Sequence, residues 1–252
     1  MLKYNPCGIL PIFIHKEKDA KAFIHLIKVF RAITNCNYYS NTGLLKRIIQ
    51  LFDGHNYSDE WAELCSDLYD KSIFSDTYGY YPECLKTYFF RYPEQIVLRY
   101  HNDSHSFYKH FHYDYYLPNK AFEDQSTFIT WCDYLFNAGK EDSFLISTLG
   151  AILGRSISGK DGIFPHEFVR IALEKYSNDE LTQNVAIGWM NARGARIVGD
   201  GLNEKNTELQ YRNYARRLEL EYPQTAKLLL MIASDYEWES KYNRQHSEAF
   251  PL

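Results

Sequence analysis

The sequence predicts an all-α fold, an irregular bundle of roughly nine or ten helices, on three observations. Apolar residues recur at helical spacing through most of the chain, and residues that start and stop helices punctuate that pattern. Eight of the 13 glycines fall between Gly150 and Gly201, six of them in two short polar stretches bounded by helical runs. Only around 96–116 does the pattern turn to alternation (Val97, Tyr100, then Phe107, Phe111, Tyr113 and Tyr115), which predicts a small β-hairpin there.

Taken in order, Ala20, Phe23, Ile24, Ile27 and Phe30 keep a spacing of about 3.6 residues and predict an amphipathic helix over 17–34. Leu44, Leu45, Ile48, Ile49 and Phe52 predict a second, ended by Gly54. Ser58 with Asp59 and Glu60 reads as a helix start for Trp61, Leu64, Cys65 and Leu68. Pro82 opens a short helix to Arg91. Beyond the hairpin, helices are expected at 125–138, 142–153, 165–176, 178–193, 203–221 and 223–245. Pro165 stands at a first-turn position, Ser177 with Glu180 reads as a capping box, and Pro223 separates the last two helices. A soft boundary near Pro118–Asp124 divides an aromatic-rich region (1–120) from one with glycine-rich loops (121–252), the two packing as one globular unit.

With 252 residues, 45% hydrophobic and 24% charged, the chain can bury a core without disulfides or metals. Cys7, Cys36, Cys65, Cys84 and Cys132 are odd in number and form no C-x-x-C pair, which predicts reduced thiols in a cytoplasm. The net charge of −4 speaks against a dedicated nucleic-acid coat protein. No apolar run approaches the roughly 18–20 residues of a membrane span, and the start Met1–Pro6 lacks the charged-then-apolar order of a signal peptide. A soluble cytoplasmic protein is expected. The 22 Tyr and 16 Phe fit either an A/T-rich genome or an interface that uses flat rings with polar tips.

Three sets of residues are candidates for chemistry. The first glycine-rich stretch, Gly154 to Gly162, contains Gly-x-x-x-x-Gly-Lys, but a helix precedes it and Asp161 stands where a phosphate-binding loop needs Ser or Thr to hold magnesium. Its Arg155, Ser156, Ser158 and Lys160 are candidate binding residues. His166, Glu167 and Asp161, at the start of the next helix, are candidates for catalysis or for holding the loop in shape. In the second stretch Asn191, Arg193 and Arg196 suit an acidic partner, a phosphate backbone, or internal ion pairs to Asp161 or Glu167. Arg212, Arg216 and Arg217 line one side of the 203–221 helix.

The third set is His110, His112 and Asp114, which point to one side if that segment is extended. The H-x-H-x-D string resembles the metal-binding motif of metallo-β-lactamase-like hydrolases. Tyr115, however, stands where that family has another His, and the helical sequence offers no β-sandwich. No cofactor is expected.

The run Gly154-Arg-Ser-x-Ser-Gly-x-Asp-Gly-Ile-x-Pro-His-Glu167, followed by Asn191-x-Arg-Gly194, Tyr-x-x-x-Ala-x-x-Leu at Tyr211–Leu218 and Tyr222-Pro223, resembles a helical region of bacterial proteins associated with mobile-element and phage-defence gene clusters. The resemblance covers about 150–240 and implies a bacterial, multi-protein setting. The leading expectation is a non-enzymatic interaction or adaptor subunit whose partners are other protein subunits, with nucleic-acid contact as an added reading. A metal-dependent hydrolase or nuclease, and a nucleic-acid-binding module using Arg193, Arg196, Arg212 and Arg216, are the alternatives.

Overall fold

A computed structural model describes residues 83–102, 115–140, 142–193 and 200–249, with Ala62 and Phe111. Eight α-helices and one 3-10 turn account for its regular structure, with no strand among the described residues, so the fold is all-α. The helices are α1 (Glu83–Arg91), α2 (Pro93–Asn102), α3 (Gln125–Ala138), α4 (Ser143–Leu153), α5 (Glu167–Tyr176), α6 (Asp179–Ala192), α7 (Leu202–Leu218) and α8 (Pro223–Ala249). The chain divides into two units, Met1–Phe89 and Phe90–Leu252, and the second holds nearly everything described below. The helices expected at 17–34 and 44–52, and all but Ala62 of that expected at 58–68, lie outside the described residues.

The hairpin expected near 96–116 is corrected in its first part: Ile96–Asn102 belongs to α2. Pro93 opens that helix, where its missing N–H is no loss. Ile96 is buried and the Tyr100 ring stacks on Phe144, contacts that this segment makes as a helix. Residues 103–110 and 112–114 lie outside the described residues.

At the starts of α3, α4 and α6 a short polar side chain accepts a free N–H group of the first turn. Asp124 accepts from Thr127 N at 3.0 Å for α3, and Asp142 from Phe144 N at 3.0 Å for α4. For α6 the cap is Asn178, accepting from Leu181 N at 2.8 Å. The expected Ser177–Glu180 box is displaced by one residue, because Ser177 already ends α5 in the left-handed region at φ 43°. For α8 the cap comes from another helix: the Glu174 carboxylate accepts from Gln224 N and Thr225 N at 3.0 and 2.9 Å.

Helix α4 has no charged residue, and every position from Leu145 to Leu153 except Ser147 is buried. A helix apolar on all sides belongs inside, and α4 lies against α3 and α6. Its approach to α6 is closer than ordinary side chains permit. A Cβ on Gly150 would meet Asn184 Cβ at 2.4 Å, one on Gly154 would meet Val185 O at 2.4 Å, and one on Gly188 would meet Ala151 Cα at 2.7 Å. Ser147 Oγ donates to Asn184 Oδ1 at 2.9 Å beside this seam. Three of the eight clustered glycines are therefore surfaces of helix-to-helix contact.

The α7–α8 pair forms the other large contact. Gly201 starts α7 at φ 79°, with Ser240 O 2.4 Å from where a Cβ would sit, and Ser240 Oγ donates to Gly201 O at 2.8 Å. Glu208 is buried between the two helices; Lys205 and Arg212 donate to it, and Arg212 reaches on to Glu237 of α8 at 2.7 Å. Burial pushes the Glu208 carboxyl up, but those two donors outweigh it and hold it below its ordinary range.

Gly188→Ala forces backbone apart and should cost about 2–3 kcal/mol, read as a melting temperature lower by roughly 5–10 °C. Gly162, with φ 75° and nothing within 4 Å, separates strain from clash: Gly162→Asn should move the melting temperature by no more than about 2 °C.

Candidate functional site

The loop between α4 and α5 brings together most of the residues singled out in the first glycine-rich stretch. Gly154 N and Ser156 N close the end of α4 on Gly150 O and Leu153 O. Arg155 then turns inward: its Nη1 donates to Ala151 O at 3.0 Å, and its guanidinium lies 5.6 Å from the Tyr116 ring centre. It is buried, so its charge serves the fold.

The loop tip is a tight turn in which Gly159 N donates to Ile163 O and Gly162 N to Gly159 O, both at 2.9 Å. Gly162 takes the left-handed conformation that glycine adopts without strain. Gly159 is glycine for another reason: a Cβ there would sit 2.8 Å from Arg170 Nη2 and Glu167 Oε1 and 2.9 Å from Asp161 Oδ1. The polar cluster lies directly against that bare backbone.

Arg170 is the centre of the cluster. It is 2% exposed and donates from Nη1 and Nη2 to both Asp161 oxygens at 2.8 Å, from Nε to Pro165 O at 2.8 Å, and from Nη2 to Ile163 O. A planar fork satisfied on every side is what makes a buried guanidinium tolerable. The Arg170 hydrogen bonds hold the Asp161 carboxyl down to about 2, against the opposing effect of burial. Glu167 Oε1 accepts from Lys160 N at 2.6 Å, so both carboxylates of the loop secure its shape.

His166 caps α5. Its Nδ1 accepts from Phe168 N at 3.2 Å and its Nε2 lies 3.3 Å from Glu167 Oε2, with Phe122 and Phe168 packed on the ring at 4.6 and 4.8 Å. Accepting at Nδ1 requires the neutral ring. Burial favours that form and lowers the His166 pKa, and it outweighs the Glu167 carboxylate, which favours the charged ring. His166, Glu167 and Asp161 thus meet, as the sequence places them, and all three are engaged with their own chain. Ser158 and the Lys160 side chain face solvent, and Ser156 is half-buried.

Sequence reasoning missed Arg170. A usable signal exists: in Glu167-Phe-Val-Arg-Ile-Ala-Leu173, Arg170 falls on the same face as Val169, Ala172 and Leu173, where a charge demands a carboxylate.

In the second stretch, Arg193 forms a two-pronged ion pair with Glu239 of α8, and its guanidinium lies 4.9 Å from the Tyr236 ring and 5.8 Å from that of Trp189. It has an internal partner, though neither Asp161 nor Glu167. Asn191 is exposed, and Arg196 lies outside the described residues. So do His110, His112 and Asp114; among the described residues no group of three His, Cys, Asp or Glu side chains could hold a metal. No described helix is long and apolar enough to cross a membrane.

No protein-family model matches this chain, and neither a curated protein nor a solved structure matches it.

Two predictions test the loop as a structural clasp. Asp161→Asn leaves the buried Arg170 without a counter-charge and should cost about 2–3 kcal/mol, read by urea unfolding. His166 has its pKa lowered on folding, so its contribution is complete above the unfolded value of about 6.5 and disappears as pH falls through the lower folded value. In the His166→Asn variant, where a non-titrating cap replaces the ring, the melting temperature should fall less between pH 7 and 5 than in the parent chain. An equal fall in both would remove His166 from the account.

Proposed function

We propose that the chain is a non-enzymatic interaction subunit, an adaptor within a bacterial multi-protein complex, with phage defence as the setting that the resemblance over 150–240 suggests. The observation that carries this reading is the division of surface chemistry. Charged residues in and beside the glycine-rich stretches (Arg155, Asp161, Glu167, Arg170 and Arg193) are turned to internal partners, while Lys160 faces solvent. Large apolar side chains face solvent on the last two helices, as Leu98, Tyr134, Ile157 and Ile187 do elsewhere, and those of the last helix include stacked aromatic rings.

On α8, Leu230, Trp238, Tyr242 and His246 stand at intervals of four or eight residues along one ridge. Trp238 is 65% exposed; its ring stacks on Tyr242 at 5.3 Å and 17°, and the Tyr242 ring lies 4.2 Å from that of His246. Exposed aromatic rings held against each other lose little further freedom on binding, which suits them as anchors of a protein interface.

The test is binding of the purified chain to each protein encoded beside it, followed by light scattering. A stable complex is expected, and Trp238→Ala should weaken it at least about tenfold while leaving the melting temperature within about 2 °C of the parent. A monomer inert toward every one of those proteins would overturn the reading.

A further inference from the structure

We infer that His166 and Glu167 form a proton-operated latch at the start of α5: a protonated His166 ring releases Phe168 N–H and takes the Glu167 carboxylate as its partner. One half of that carboxylate is already spent, since Oε1 accepts from Lys160 N at 2.6 Å. The other oxygen, Oε2, is buried and accepts no hydrogen bond. A buried polar atom left in that condition is uncommon and calls for a reason. His166 Nε2 stands 3.3 Å away, within ion-pair distance of an acceptor that has no other claim on it.

The ring has two mutually exclusive roles. When neutral it carries its proton on Nε2 and accepts from Phe168 N at 3.2 Å through Nδ1. A second proton, taken from water, can land only on Nδ1, and two N–H donors then face each other across that distance. The residue is 6% exposed, with Phe122 and Phe168 against the ring at 4.6 and 4.8 Å, so water gives little relief. The free N–H groups of a helix start oppose a cation as well. Oε2 of Glu167 is the acceptor within reach, so the cap opens as the ion pair closes.

The surrounding charges decide where this happens. Burial opposes the charged ring most strongly; Glu167 favours it, and Arg170 of the same helix and Lys160 of the loop oppose it. The 3-10 turn brings the Phe122 ring. Helix α3 brings Phe128 onto Phe168 and keeps Asp133 for Lys175 and Tyr176 at the far end of α5, and α8 meets Glu174 there. The ring therefore titrates below its ordinary range. Burial pushes the Glu167 carboxyl up, but the main-chain N–H groups beside it outweigh that, so it is ionised when the ring takes its proton. The Asp161 carboxyl, held down to about 2 by Arg170, keeps its charge through the same range. The Arg170 clasp stays shut while the cap opens. The change is confined to the first turn of α5 and the loop tip that Glu167 Oε1 holds, where Ile157, Ser158 and Lys160 face solvent.

The experiment follows the His166 ring and the backbone amides of the full chain by NMR from about pH 8 to about pH 5. The ring should titrate below about 6.5, with the Phe168 and Lys160 amide shifts following the same midpoint. Protection of Phe168 N–H from hydrogen exchange, corrected for its intrinsic pH dependence, should fall at least about tenfold across that midpoint. Amides in the middle of α3 and α4 should keep theirs. Glu167→Gln leaves an acceptor for Lys160 N but removes the negative charge. It should weaken proton binding by the ring at least about threefold and uncouple the Lys160 amide from the ring. In His166→Asn neither amide should respond over this range. A Glu167→Gln midpoint equal to or above the parent's overturns the latch. So does a Phe168 amide as protected in acid as at neutral pH, or a Lys160 amide in the parent chain that ignores the ring. Equal loss of protection throughout α3 and α4 overturns it in favour of global unfolding.

Discussion

The contact of α4 with α6 is the constraint from which the rest of the described structure follows. Helix axes separated by ordinary side chains lie about 8–10 Å apart, and backbone comes closer only where side chains are missing. Gly150, Gly154 and Gly188 remove them, and the backbone of each helix rests on the other. The gain is close-packed contact for an apolar helix that hides the rest of its surface against α3. The cost is rigidity of composition, since even one methyl group at these positions has nowhere to go. The same contact sets where α4 ends, and therefore where the loop carrying Arg155 to His166 begins.

That loop shows how a polar segment is made part of a core. Arg170 enters from α5 and each of its guanidinium nitrogens finds a partner in the Asp161 carboxylate or the carbonyls of Ile163 and Pro165. Gly159 leaves room for Asp161 to reach it and for Glu167 to reach Lys160 N, and His166 holds the helix start from which Arg170 projects. Groups that look catalytic when read singly are here arranged so that each one cancels another's charge or accepts another's proton. A general base needs a lone pair free for substrate; that of His166 Nδ1 is committed to Phe168 N–H. Helices α7 and α8 pack tightly on each other through Gly201, Ser240 and Glu208, and they turn Leu202, Leu209, Leu230, Trp238 and Tyr242 outward.

Among the described residues, the sequence by itself determined every helix but α2 and most of their ends. Periodic apolar spacing and polar caps are local, so Gln125–Ala138 and the start of α8 at Pro223 could be read directly. Where local signals compete, one residue decides: Asn178 caps α6 because Ser177 is already committed to ending α5. Val97 and Tyr100 read as the start of a hairpin, yet Pro93 and packing of Tyr100 on Phe144 make that segment helical, since a short pattern yields to tertiary contact. Only the tertiary structure decided which charges pair, because Arg193 with Glu239 and Arg212 with Glu237 join residues 46 and 25 positions apart. It decided likewise that the clustered glycines Gly150, Gly154 and Gly188 serve packing. Glycine permits both a flexible turn and a close approach, and the difference lies in what stands opposite, which no local stretch of chain records.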